Sequence, residues 1–204
     1  MKKLITLLIL TFALQSCENE KKKSRENDNI QLEEKEKTKT KIDSSYKDNE
    51  INHTLENNKY QTENENLIFS FQTKNAKFLT ICIDKDEKYI VYRYGTYEKI
   101  EMEFPESKNK NSFEKFEYSG WERHGGIQNE GMRLDYLTFS INNYKYIIYD
   151  TYYAVGDESN VGIKILNSET NQTTNIKGIY RTIKGSLSSF RFNDKIRKGD
   201  ELYD

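Results

Sequence analysis

Apolar and polar positions alternate along most of the chain beyond residue 66. Residues 97–104 put Ile100, Met102 and Phe104 on one side of an extended chain and Lys99, Glu101 and Glu103 on the other. That period of two is the pattern of a half-buried strand. Residues 132–136 alternate in the same way, and 144–153 are crowded with aromatic and β-branched types. Between these two runs, Asn142-Asn143 reads as a two-residue hairpin turn, because Asn tolerates positive φ. Further strands are predicted over 67–71, 78–83, 89–94, 113–118, 161–166, 176–183 and 187–192, with turns at 84–87 and 95–96. Pro105 closes the 97–104 run, as suits a residue with no N–H to give a sheet. Short strands punctuated by turns at this spacing predict a mainly β domain. The expected architecture is an antiparallel sandwich or a small barrel of about eight to ten strands.

The pattern is absent from 18–65. That stretch is crowded with Lys, Glu, Asn, Thr and Ser, and its apolar residues Ile30, Leu32, Ile42, Ile51 and Leu55 follow no sustained period. Such a composition cannot bury enough apolar surface to offset chain entropy, so the expectation is a disordered, charged tether preceding a globular domain over 66–204. A flexible chain of that length spans roughly 35–40 Å root-mean-square. The mixed charges of 31–37 also suit a short helix, although isolated helices of this length are marginal in water.

The first residues have a third character. Lys2 and Lys3 precede an apolar run over 4–14, interrupted only by Thr6 and Thr11. The run is too short for a membrane-spanning helix, which needs about 20 residues, and its length and charge order fit a secretory signal over 1–16. Leu14-Gln15-Ser16-Cys17 resembles the lipobox of bacterial lipoproteins, with Leu14 at −3, small Ser16 at −1 and Cys17 at +1. Gln15 departs from the commonest residue at −2. The resemblance implies a diacylglyceryl group on the Cys17 sulfur, cleavage before Cys17 and acylation of the new amino terminus. Each buried CH₂ contributes about 0.8 kcal/mol, so two or more chains hold a protein on a bilayer without a transmembrane helix. The implied location is the cell envelope, lipid-anchored at the outer membrane of a Gram-negative bacterium, since Glu18 is not the Asp associated with inner-membrane retention.

Composition narrows the chemistry. The chain has 204 residues and a formal net charge of −1. That near balance argues against nucleic acid as a partner, which calls for a basic face. Of the two cysteines, Cys17 is assigned to lipid and Cys82 is left alone, so no disulfide within one molecule is expected. Cys82 sits in the apolar run 78–83 and reads as a buried small hydrophobe. Two histidines, His53 and His124, are too few for a typical zinc site, and His53 falls in the expected tether. No nucleophile elbow, His-Glu-x-x-His motif or phosphate-binding glycine loop occurs, and no cofactor or metal is expected.

The densest unusual stretch is 118–131, which holds the only Trp, one of the two histidines and four of the ten glycines. It reads as a long glycine-rich hairpin with Trp121 pinned in the core, or as a binding loop that presents Trp121, Arg123 and His124. Trp and Arg are types that dominate binding hot spots. A third reading, a hydrolase site, pairs His124 with Glu122; residues two apart on an extended segment share a face without necessarily touching. Tyr152 and Tyr153 join the candidates from the tyrosine-rich run 144–153, whose tyrosines serve either cross-strand packing or an exposed platform for a glycan or protein. Asp150, Asp157 and Glu158 flank one turn, in a spacing that fits no calcium loop.

The segment Ile81-Cys82-Ile83-Asp84-Lys85-Asp86-Glu87-Lys88-Tyr89-Ile90-Val91-Tyr92 resembles the opening hairpin of membrane-bound lysozyme inhibitors, which are small lipid-anchored β-barrels. The resemblance implies inhibition of a cell-wall hydrolase. It covers a dozen residues, and neither the cleft-inserting loop of those inhibitors nor the partner of their disulfide cysteine is present. The sequence thus leads to a lipid-anchored envelope protein whose body binds a protein or envelope component without catalysis. Hydrolase inhibition and a His124-centred hydrolase are the alternatives.

Overall fold

A computed structural model of the chain describes residues 60–203. The signal over 1–16, the lipid site Cys17, the tether as far as residue 59, His53 and the short helix at 31–37 all lie outside the described residues.

Among the described residues, eleven strands form two sheets. In chain order they are β1 (Glu65–Gln72), β2 (Phe78–Asp84), β3 (Ile90–Gly95), β4 (Ile100–Phe104), β5 (Glu117–Arg123), β6 (Met132–Ile141), β7 (Tyr144–Tyr153), β8 (Glu158–Asn167), β9 (Thr173–Lys177), β10 (Lys184–Gly185) and β11 (Arg197–Lys198). One sheet has the order β10-β1-β2-β3-β4 and the other β11-β5-β6-β7-β8-β9. The domain is mainly β, as its alternation predicts, and the two sheets make a sandwich, not a closed barrel. All pairings are antiparallel except β11 with β5. The strands that no pattern pointed to are β10 and β11, two-residue pieces too short to carry an alternation signal.

The sheets pack through alternate positions. Phe69, Phe71, Leu79, Ile81, Ile90 and Tyr92 face the sandwich interior from one side, and Leu137, Phe139, Ile148, Val161 and Ile163 from the other. Phe139 is the central contact. Its ring stacks on Phe104 at 4.4 Å and on Tyr146 at 4.9 Å, and meets Phe116 and Tyr92 at 5.4 and 5.0 Å. Fully burying one such ring contributes about 1.5–3 kcal/mol.

Three predicted strands differ. Residues 113–118 split between a 3-10 turn (Lys110–Lys115) and β5, because the Asn109 side chain caps the turn at the Asn111 N–H. Phe113 and Phe116, three apart, both reach the core from that turn. Leu187–Phe190 is likewise a 3-10 turn, capped by Ser186 at the Ser188 N–H, with Leu187 and Phe190 buried. The predicted strand over 176–183 stops at Lys177, where the chain crosses between sheets. There the Gly178 N–H donates to Val161 O (2.7 Å) and the Ile179 N–H to Gln72 O (2.8 Å). A Cβ at Gly178 would stand 2.6 Å from Val161 Cγ1 and 2.7 Å from Phe71 Cδ2, so only glycine passes.

The folded body also takes in residues that composition assigned to the tether. Tyr60 is buried and its hydroxyl donates to Thr96 O and to Lys99 O. Arg93 donates to Tyr60 O at 2.6 Å and grips both Glu65 oxygens, Nη1 to Oε2 at 2.6 Å and Nη2 to Oε1 at 2.8 Å. Glu103 takes the remaining Nε at 2.7 Å.

Candidate functional site

The register of β5, β6 and β7 decides where the candidate residues go. Trp121 pairs with Leu134, Glu122 with Arg133 and Arg123 with Met132; Arg133 in turn faces Tyr152, and Met132 faces Tyr153. Side chains alternate across a sheet. Trp121, Arg123, Met132 and Tyr153 therefore share the outer face of the six-stranded sheet, while Glu122, Arg133 and Tyr152 point to the inner side. The five candidates do not form one cluster.

Strand β5 runs to Arg123, so the expected long loop is only the turn from His124 to Gly131. Gly120 lies inside the strand for a steric reason: a Cβ there would meet the Tyr118 hydroxyl at 2.2 Å. Trp121 is not pinned in the core. It is 42% exposed, and the Arg123 guanidinium sits 5.5 Å from its ring centroid. Arg123 is itself fixed by the turn, donating from Nε to Glu130 O at 3.0 Å and from Nη2 to Glu130 Oε2 at 3.3 Å. Close by, Met132, Tyr153 and Val155 with Glu130 and Gly131 line a shallow hollow of about 220 Å³. Ile127 and Val155 are 71% and 56% exposed. A contiguous apolar patch rimmed by charge is the usual form of an interaction surface.

His124 stands apart. Its side chain is 86% exposed, and Nδ1 lies 3.6 Å from Glu122 Oε1, an ion-pair spacing longer than a hydrogen bond. The other Glu122 oxygen is taken by Arg191 at 2.5 Å, and that guanidinium holds the carboxyl below its ordinary range. Among the described residues no carboxylate is in hydrogen-bond contact with the His124 ring.

Under the patch, on the inner side, lies a charged cluster that alternation alone does not reveal. Asp135 and Asp150 are cross-strand partners, both buried. The Tyr118 hydroxyl donates to Asp135 Oδ1 at 2.5 Å, and Arg133 Nη2 lies 3.2 Å from each Asp150 oxygen. Burial, with the charge of Asp135 behind it, pushes the Asp150 carboxyl up against the pull of Arg133. Asp150 is thus tied to Arg133, while Asp157 and Glu158 are exposed at the following turn. Among the described residues no group of three His, Cys, Asp or Glu is placed to hold a metal ion.

The outer face continues from the patch across β7, β8 and β9. Tyr136, Tyr149, Thr151, Tyr153, Asn160 and Lys164 line a second hollow of about 210 Å³. It shares Tyr149, Asn160 and Lys177 with a larger one of about 420 Å³ that reaches the crossing at Gly178. Residues 201–203 border this face: the Tyr203 ring meets Tyr136 at 5.3 Å, and Lys164 donates to Tyr203 O. Sequence reasoning missed Tyr136, Tyr149 and Lys164 as face-mates of Trp121. The signal was the parity of their positions across a hairpin fixed by Asn142-Asn143.

The predicted Ile81–Tyr92 hairpin is formed by β2 and β3, with Cys82 fully buried and its thiol pushed up to about 12 by burial and by the charge of Glu65. No model of a known protein family matches the chain, no curated protein matches it, and no solved structure matches it.

Proposed function

We propose that the chain is a lipid-anchored cell-envelope protein, held through Cys17, whose body binds a partner on the outer face of its six-stranded sheet. The observation that carries the reading is Trp121. A large aromatic side chain is left 42% exposed on a sheet and braced by Arg123, and Ile127 and Val155 are exposed as well. Leaving it there forgoes the burial that a core position would give, about 1.5–3 kcal/mol for a large side chain. Arg123 spends its donors on positioning, which pre-organises the patch and lowers the entropy lost on binding. The activity proposed for this face is binding.

Trp121 is the only tryptophan, so its fluorescence reports this patch alone. Acrylamide quenching is measured with and without outer-membrane polysaccharide, peptidoglycan fragments and envelope proteins. Protection of Trp121 by one of these fractions, abolished in Arg123→Ala, is the expected result. Equal quenching with every fraction refutes the binding face. Anchoring is checked separately: radiolabelled palmitate should enter the wild-type chain and not Cys17→Ser.

A further inference from the structure

The hollow at the Gly178 crossing has an unusual charge pattern. Lys74, Lys177 and Arg181 line it, and Lys164 stands in the adjoining hollow. All four arrive by backbone geometry. Lys177 ends β9; Lys74 follows β1, and its N–H donates to Lys177 O at 2.9 Å; Arg181 lies in the 3-10 turn that follows the crossing. Lys74, Lys177 and Arg181 are exposed and form no ion pair among the described residues. No described carboxylate lines either hollow. In a chain with 33 acidic and 32 basic residues, that segregation is local.

Between the cations lie groups that recognise hydroxyls and rings. Ser159, Asn160 and Asn175 offer hydroxyl and amide hydrogen bonds, and the Tyr180 ring is 38% exposed. The two hollows adjoin through shared walls and are together of ligand-site size, for which about 300–1,000 Å³ is typical. Uncompensated cations gathered in one hollow attract anions more strongly than cations scattered over the surface. Amides, a hydroxyl and an aromatic ring together favour a hydroxylated ring over an acyl chain or a peptide side chain.

We propose that this groove binds an acidic glycan: a sugar chain bearing carboxylates, laid across β7 to β9 with its charges at Lys177, Arg181, Lys74 and Lys164. The assignment rests on the outer face being the binding face and names its ligand class. The sugar ring packs on the exposed Tyr180, and the hydroxyls pair with Asn160 and Asn175. A glycan extending past Tyr153 reaches the Trp121 patch.

The test uses the full chain in detergent and two probes that differ only in charge, tetragalacturonate and its methyl ester. Calorimetry should show tetragalacturonate binding that weakens as salt rises, and the ester binding at least about tenfold more weakly. The double variant Lys177→Gln/Arg181→Gln should lose tetragalacturonate affinity by about tenfold or more. Both positions are exposed, so an unchanged melting temperature is expected and verifies the fold. Vesicles of anionic phospholipid form the third arm and should not compete. No tetragalacturonate binding, equal binding of the ester, an unaffected double variant, or displacement by the vesicles each overturns the proposal. Trp121 quenching separates the two levels of failure. If the ester or an envelope fraction protects Trp121 while the cations prove irrelevant, the binding face stands and the acidic ligand falls. If nothing protects Trp121, both fall.

Discussion

Glu65→Gln is the sharpest test of what holds the amino-terminal edge of the body. Burial alone would raise the Glu65 carboxyl. Hydrogen bonds from Arg93, the Thr62 N–H and Tyr89, with the Arg93 charge, more than reverse that and bring it from 4.5 down to about 2. A depressed carboxyl stabilises the fold above its unfolded value and ceases to do so as pH falls through the folded one. At about 1.4 kcal/mol per pH unit, the drop from 4.5 to about 2 is worth about 3 kcal/mol at pH 7. By the same linkage about 1 kcal/mol of this survives at pH 3, where the unfolded carboxyl is already protonated. Gln keeps the shape and one acceptor but no charge, leaving a guanidinium that is almost wholly buried with Glu103 as its remaining anion. Breaking such a pair costs about 3–5 kcal/mol, in line with the linkage figure. Urea unfolding of wild type and Glu65→Gln at pH 7 and pH 3 measures the difference directly, and the other carboxylates cancel in the subtraction. The gap should be about 3 kcal/mol at pH 7 and should narrow by about 2 kcal/mol at pH 3. A gap of the same size at both pH values would show that Glu65 acts through packing, not charge.

Two further outcomes follow from packing. Cys82, fully buried with its thiol at about 12, should resist iodoacetamide at pH 8 in the folded protein and react promptly in urea. Labelling of the native protein at the unfolded rate would contradict that placement. Gly178→Ala should lower stability by about 1–3 kcal/mol, read as a lower melting temperature, because its Cβ has no room between Val161 and Phe71. A neutral effect would mean that the crossing relaxes easily.

The architecture was legible where burial has a period. β4, β6, β7 and β8 lie where alternation put them, and β2 and β3, buried on both faces, lie where short apolar runs put them. The illegible parts obey other rules. Phe113 and Phe116, or Leu187 and Phe190, look like strand residues in a short window, but an Asn or Ser cap turns the chain so that a spacing of three faces inward. The end of β9 depends on the room around Gly178, a property of two distant strands. The site divides the same way. Residue type drew attention to Trp121, Arg123 and His124, but only the register showed Trp121 and Tyr153 on one face and Tyr152 on the other. Composition assigned Tyr60 and Glu65 to the tether because their neighbours are polar. Their partner, Arg93, lies in β3 and no local window includes it.

That last contact has a mechanical meaning. Force applied to the chain on the amino-terminal side of Tyr60 enters the body at the clamp of Tyr60, Glu65 and Arg93 before it reaches any strand pair. β1 begins to peel from β2 at Glu65 opposite Asp84, so the first rung cannot open until a buried guanidinium lets go of its carboxylate. The sandwich is therefore strain-relieved at the point where a leash would pull on it, and extraction should register as one early, pH-sensitive force peak.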